Sequence, residues 1–220
     1  MNKPKIKIFL VDDHPLVREG LVNLIRQQPD MEIVGEAANE PHALELVGRI
    51  QPDIAIVDIT LENGSGIELI KSIKAIHPSV KSLVLSMHDE SLYAERALRA
   101  GARGYIMKRE AAKKIIEGIR CVLAGQLYVS EKIAAMMAEK FVEGRTAESA
   151  TPVEQLSNRE LEVFQLLGRG LNTRQIADNL HIGFKTVQAY NARIKEKLKL
   201  TNATELLREA LRWQENPQPK

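Results

Sequence analysis

Five short apolar runs, rich in β-branched residues and separated by helix-length amphipathic segments, dominate the first half of this chain. The runs lie near residues 5–11, 31–37, 53–58, 81–86 and 104–107, and helical periodicity fills 14–27, 40–50, 66–76, 90–100 and 111–123. Continuous apolar strands of this length suit a parallel sheet buried on both faces, and helix-length crossovers are what parallel pairing requires. The expected fold is therefore α/β, a doubly wound five-stranded parallel sheet with helices on both faces. The punctuation agrees: Gly101 and Gly104 bracket a helix stop and a strand start, and Pro52 and Pro78 each precede a strand.

Four of these runs lead into polar residues. Asp12–Asp13 follow Val11, Asp58 follows Val57, Ser86 follows Leu85 and Lys108 follows Met107. Ligands of open parallel sheets bind just outside the carboxyl ends of the strands, so three carboxylates, a hydroxyl and an ammonium group should meet there. A hard cation such as Mg²⁺ wants oxygen ligands. Asp13 and Asp58 can supply two, the backbone carbonyl of Thr60 a third, and Asp12 is placed to hold a metal-bound water. An aspartate can also accept a phosphoryl group as an acyl phosphate. The metal and Lys108 would offset the phosphoryl charge, and the Ser86 hydroxyl would donate to a phosphate oxygen. Taken singly, the Asp pair ahead of His14-Pro15 would be a helix cap, Lys108 a solvated charge and Ser86 a turn cap. Their joint placement favours a phosphoryl site.

No stretch approaches the roughly 20 apolar residues of a membrane span, and Met1–Pro4 leads into a strand instead of a signal peptide. The single Cys121 cannot form an intrachain disulfide and lies in an apolar helical pattern, which predicts a buried structural thiol and a cytoplasmic location. Residues 130–142 carry one more helical period, in which Ile133, Met136, Met137 and Phe141 are expected to pack. Residues 144–155 are small, polar and aperiodic, and read as a flexible linker. No internal repeat is visible. The organisation expected is a domain over 1–125, a helical extension and linker over 126–155, and a second domain over 156–220.

That second domain opens on a capping box, Ser157-Asn158-Arg159-Glu160, ahead of a helix with Leu161, Phe164 and Leu167 that closes at Gly170. A short helix near 173–180, a turn at 181–183, a third helix to Leu198 and a fourth near 204–213 complete a small all-α helix-turn-helix layout. Lys and Arg exceed Asp and Glu by only three over residues 151–220, whereas residues 1–125 hold 17 of each sign. The placement of charge must therefore carry the nucleic-acid argument. In the third helix Val187, Ile194 and Leu198 form an apolar stripe, and Thr186, Gln188, Ala189, Ala192 and Arg193 fall on other faces. Gln188 suits an adenine edge and Arg193 a guanine edge or a phosphate; Lys185, Lys195 and Arg174 suit phosphates. A solvated basic face is the plain alternative, and the helix-turn-helix layout weighs against it.

On these motifs residues 1–125 resemble the flavodoxin-like receiver domain of two-component response regulators, and residues 156–213 resemble the LuxR-type helix-turn-helix. The pairing is that of the NarL/FixJ class. The resemblance implies that Asp58 accepts phosphate from a sensor histidine kinase, with Mg²⁺ at Asp13, Asp58 and the Thr60 carbonyl. It implies that Ser86 and Tyr105 are switch residues, the hydroxyl turning toward the phosphate and the ring moving inward. It further implies a transcription factor, not an enzyme, that binds double-stranded DNA and forms a homodimer when phosphorylated. The last helix, with Leu206, Leu207, Ala210, Leu211 and Trp213, would be the dimer surface, and Trp213 its best candidate. The alternatives are a constitutive DNA-binding regulator whose receiver only dimerises, and a Mg²⁺-dependent phosphohydrolase; the segment Asp12-Asp13-His14-Pro15 lacks the spacing of the latter.

The chain departs from the family in several places. Leu61-Glu62 stand where Met-Pro is usual, and Arg109 follows Lys108 in place of a proline joined by a cis bond. A cis bond before a non-proline costs about 2.5–4 kcal/mol. Gly183 replaces the usual serine cap, and Tyr190-Asn191 replace a usual His-Val pair, which places an amide in the apolar stripe or turns it toward DNA.

Overall fold

The computed structural model describes residues 4–61, 64–142 and 152–215. The chain divides into two compact units, Met1–Lys140 and Phe141–Lys220. In the first, the five expected strands form one parallel sheet: β1 (Ile6–Val11), β2 (Met31–Ala37), β3 (Ile54–Val57), β6 (Lys81–Ser86) and β7 (Gly104–Met107), ordered β2-β1-β3-β6-β7. A two-stranded antiparallel ribbon, β4 (Thr60–Leu61) and β5 (Gly64–Ser65), lies between β3 and the helix that follows. Glu62 lies outside the described residues.

The sheet forms because both of its faces find cover. Ile8, Leu10, Ile54, Ile56, Leu83, Leu85 and Ile106 share one core with Leu21, Val22 and Ile25 of α1 (Pro15–Arg26) and Ile115, Ile119 and Val122 of α5 (Ala111–Leu123). The alternate strand residues Phe9, Val11, Ala55, Val57 and Val84 are also buried, as period-two alternation requires. Buried residues of α2 (Glu40–Ile50), α3 (Gly66–Ile76) and α4 (Glu90–Ala100) complete the doubly wound arrangement. Phe9 pairs with Gly35 across β1 and β2, and a Cβ on Gly35 would lie 2.7 Å from the phenyl ring, so the glycine makes room for the aromatic side chain.

After α5 the chain returns to the β7 edge. The Tyr105 amide donates to the Tyr128 carbonyl (2.8 Å) and the Tyr128 amide to the Arg103 carbonyl (3.0 Å), which blunts that edge. Next comes α6 (Glu131–Val142), where Ile133 is fully buried and Lys140 pairs with Glu95 of α4 at 2.6 Å. The packing expected of this helix holds only in part. Met136 and Met137 are half-buried and Phe141 is 88% exposed, so of the four only Ile133 is fully buried. Cys121 is likewise half-buried: Ile119 and Val122 take the core face, and its Sγ meets Gln126 and the Leu127 carbonyl on the returning chain. Of the expected linker, residues 144–151 lie outside the described residues, and Pro152–Gln155 is a 3₁₀ turn.

The second unit has four helices, α7 (Asn158–Gly168), α8 (Thr173–Asn179), α9 (Phe184–Lys197) and α10 (Ala203–Glu215). The capping box forms as read: Ser157 Oγ accepts from the Glu160 amide (3.3 Å), and Glu160 accepts from the Ser157 amide (2.7 Å). A second box, Asn172 with Gln175, starts α8. Glu160 also binds Lys197 at 2.6 Å, tying the start of α7 to the end of α9; burial opposes its charge, yet Lys197 and Ser157 hold its carboxyl below the usual range. The core joins Leu161, Phe164, Ile176, Val187, Ile194, Leu206 and Ala210.

Candidate functional site

The carboxyl ends of β1, β3, β6 and β7 bring the expected groups together. Lys108 Nζ lies 2.6 Å from Asp58 Oδ2 and 2.7 Å from Asp12 Oδ2, and all three side chains are almost wholly buried. Asp13 stands beside them, and one ligand atom from each of Asp12, Asp13, His14 and Asp58 falls within 4.8 Å of the others. Burial pushes the Asp58 carboxyl up to about 6, against the pull of Lys108 and with help from Asp12 and Asp13. Burial also works against the Lys108 charge, but Asp58 and Asp12 outweigh it and hold the ammonium above its ordinary value. This is a preformed pocket of carboxylate oxygens with one fixed cation. Its donor set suits a hard divalent ion.

Gly66, the first residue of α3, abuts the back of Asp58. Its amide donates to the Ile59 carbonyl (2.8 Å), and an added Cβ would lie 1.8 Å from the Asp58 carbonyl oxygen. Arg18 on α1 donates to the Asp12 carbonyl and lies 3.4 Å from Glu36, bracing the Asp pair from behind. All peptide bonds among the described residues are trans, including Lys108–Arg109, and Lys108–Glu110 forms a 3₁₀ turn. Without a proline there, the lysine still reaches both aspartates.

Ser86 and Tyr105 meet at a residue that sequence reasoning passed over. Ser86 Oγ accepts from the His88 amide (3.0 Å), and the Tyr105 hydroxyl donates to the His88 carbonyl (2.9 Å). The His88 ring lies 4.6 Å from the Tyr93 ring, and its Nε2 is 2.6 Å from Thr60 Oγ1. Tyr105 is buried and its ring already points inward, and that burial raises the phenol above its ordinary value. His14, Arg18 and His88 carried no periodic signal. The only clue in the sequence was their adjacency to Asp13, α1 and Ser86.

In the second unit, Arg174, Lys185, Thr186, Gln188, Ala189, Ala192 and Arg193 are exposed, and Lys195 is half-buried. Val187 and Ile194 are fully buried and Leu198 is half-buried, so α9 packs by the expected stripe and presents the opposite face. Asn191 has its Oδ1 buried without a hydrogen-bond partner, so this oxygen turns inward and not to the outer face. A buried unpaired acceptor costs about 1–3 kcal/mol. Asn191→Val, which completes the stripe between Val187 and Ile194, is expected to stabilise the unit by about 1 kcal/mol and raise its Tm by about 4–8 °C. Thermal unfolding followed by circular dichroism checks this, and a lower Tm would refute it. Trp213 is half-buried, and its ring packs on Phe164 at 5.8 Å. Leu207 and Leu211 are the α10 residues that stand out, at 41% and 43% exposure.

Residues 8–120 match the response regulator receiver domain family, and residues 154–210 match the luxR family of bacterial regulatory proteins. The chain belongs to the two-component response regulators, of the NarL/FixJ type that joins a receiver to a LuxR-type helix-turn-helix. It is 36% identical over 211 residues to the oxygen regulatory protein NreC of Staphylococcus carnosus, covering 94% of this chain and 97% of that one. It is 30% identical over 225 residues to the transcriptional regulatory protein DegU of Brevibacillus brevis, covering 96% and 95%. The response regulator ChrA of a heme-sensing two-component system aligns with a TM-score of 0.52 at 28% identity, over 97% of this chain and 99% of that one. RcsB of Salmonella enterica serovar Typhimurium, solved on promoter DNA with the phosphomimetic BeF₃⁻, aligns at TM-score 0.60 and 24% identity over 94% and 98%, a likeness of fold. The protein is a phosphorylation-dependent transcriptional regulator and not an enzyme, which sets aside the phosphohydrolase alternative. No helix among the described residues is long and apolar enough to cross a membrane.

Proposed function

We propose that Asp58 is the phosphoryl acceptor and that a sensor histidine kinase is the donor. The observation that carries this is Lys108, buried and bridging Asp58 and Asp12 at 2.6 and 2.7 Å. The ammonium engages Oδ2 of Asp58, which leaves Oδ1 to attack phosphorus as the bond from phosphorus to the donor's histidine nitrogen breaks. Lys108 then offsets charge on the phosphoryl oxygens, and Ser86 gives up its bond from the His88 amide to donate its hydroxyl to one of them. Asp13, Asp58 and the Thr60 carbonyl would hold Mg²⁺, with Asp12 on a metal-bound water; the ion supplies positive charge against the incoming phosphate. Tyr105 and Ser86, both bonded to His88, form the switch.

The output is DNA binding in the cytoplasm by the exposed face of α9. Gln188 and Arg193, with Thr186, Ala189 and Ala192, read bases, while Lys185, Lys195 and Arg174 bind phosphates. The receiver spans 1–125, the extension and linker 126–155, and the DNA-binding domain 156–220. Phosphorylation promotes a homodimer; RcsB, a structural neighbour, has been solved as dimers bound to DNA. The test is the affinity of the full chain for its promoter. Beryllofluoride with Mg²⁺ is expected to tighten binding at least about tenfold, a coupling of about 1.4 kcal/mol, and EDTA to remove the gain. Equal affinity in all three conditions would leave the receiver as a constitutive dimerisation platform.

A further inference from the structure

We propose that His14 is an additional ligand of the receiver pocket, and that it shifts the pocket's preference from Mg²⁺ toward d-block divalent cations such as Ni²⁺ or Co²⁺. The inference rests on the reading of this pocket as a metal site and assigns it a residue and a selectivity. His14 Nδ1 stands 2.6 Å from Asp13 Oδ1 and 3.2 Å from Asp12 Oδ1. For metal–ligand bonds of about 2.1 Å, neighbouring ligands at right angles are about 3 Å apart and opposite ligands about 4.2 Å apart. The 2.6 Å separation from Asp13 Oδ1 lies near the first figure, while the 3.2 Å contact is a hydrogen bond to Asp12, the carboxylate that would hold a metal-bound water. The imidazole therefore already stands as an adjacent ligand would.

The local backbone aims it there. His14 precedes α1 without capping it through its side chain, and its amide donates to Asp12 Oδ1 at 2.8 Å, folding the residue back over the pocket. Pro15 then fixes the start of the helix. The two cationic or donor groups divide the aspartates between them. Lys108 occupies the Oδ2 edge of Asp12 and Asp58, whereas His14 stands on the Oδ1 edge of Asp12 and Asp13. Asp13 Oδ1 is buried and accepts no hydrogen bond, with His14 Nδ1 2.6 Å away. The His14 side chain is 61% exposed and so is open to solvent beside the buried aspartates.

The chemistry sets the direction of selectivity. Carboxylates, carbonyls and waters suit Mg²⁺, which gains little from an imidazole nitrogen. Affinity for a nitrogen-containing site rises from Mn²⁺ through Co²⁺ and Ni²⁺. Mg²⁺ and Ni²⁺ binding to the full chain, measured by calorimetry for native, His14→Gln and Asp58→Asn proteins, tests this. Native chain should bind Ni²⁺ at least about tenfold more tightly than Mg²⁺. His14→Gln should lose at least about tenfold in Ni²⁺ affinity while Mg²⁺ stays within about threefold, and Asp58→Asn should weaken both, tying the signal to this pocket. An equal loss for both metals in His14→Gln would make His14 only a support for Asp13 and overturn the proposal, as would unchanged Ni²⁺ affinity. Native chain that binds neither metal would instead overturn the metal-site reading beneath it.

Discussion

Asp58→Asn is expected to abolish phosphoryl labelling of the protein by acetyl phosphate while the fold persists. The amide keeps the shape of the side chain but is not a nucleophile, and it still stands opposite Lys108. Acid-labile label retained on the variant would move the acceptor elsewhere, and Asp12, at 2.7 Å from the same ammonium, would be the first place to look. The same substitution should act in the opposite sense on stability. Because burial pushes the Asp58 carboxyl up to about 6, the folded state holds this proton more tightly than the unfolded chain does. The stability this provides is complete below the ordinary value of 3.8 and is lost as pH rises through about 6. In metal-free buffer Asp58→Asn should therefore raise Tm at pH 7 and leave it nearly unchanged at pH 3. A lower Tm at pH 7 would mean that pairing with Lys108 outweighs the cost of burial.

Gly66→Ala carries the second large effect. The new methyl would stand 1.8 Å from the Asp58 carbonyl oxygen, a backbone atom that cannot rotate away. Either α3 backs off or Asp58 moves. Overpacking of this kind costs typically about 1–3 kcal/mol, and a displacement of about 1 Å at a reacting group can cost about a hundredfold in rate. Labelling by acetyl phosphate should slow by roughly that factor, with the urea midpoint lowered. A labelling rate within about twofold of the native chain would show that α3 absorbs the methyl without disturbing the acceptor strand.

The sheet and the polar residues at its strand ends were legible because both depend on period. A strand buried on two faces must be continuously apolar, and the residue that ends it must lie at the sheet's edge. What escaped was identity of partner. Periodicity places Phe141 and Trp213 on the apolar side of their helices but does not say what that side meets. Phe141 is left exposed, and Trp213 meets Phe164 of its own unit. Cys121 sits one residue away from the face that Ile119 and Val122 bury. His14 and His88 gave no signal beyond adjacency to Asp13 and Ser86, and the contacts of His88 with Thr60 and Tyr105 are ones that folding alone creates. Asn191 was recognisable as an amide in an apolar stripe, but not which way its oxygen would turn.

The bridge from Lys108 to the two aspartates also bears on how the chain is made. A ribosome releases Asp12, Asp13 and Asp58 first, and the lysine that balances them lies 50 residues beyond Asp58. Until β7 emerges and docks beside β6, the nascent sheet carries converging carboxylates without the ammonium that bridges Asp12 and Asp58. Arrival of the last strand thus does two things at once: it closes the hydrogen-bonded edge and it neutralises the growing end of the sheet. A polypeptide stalled short of residue 108 would be an unfinished fold with an electrostatic fault at its centre.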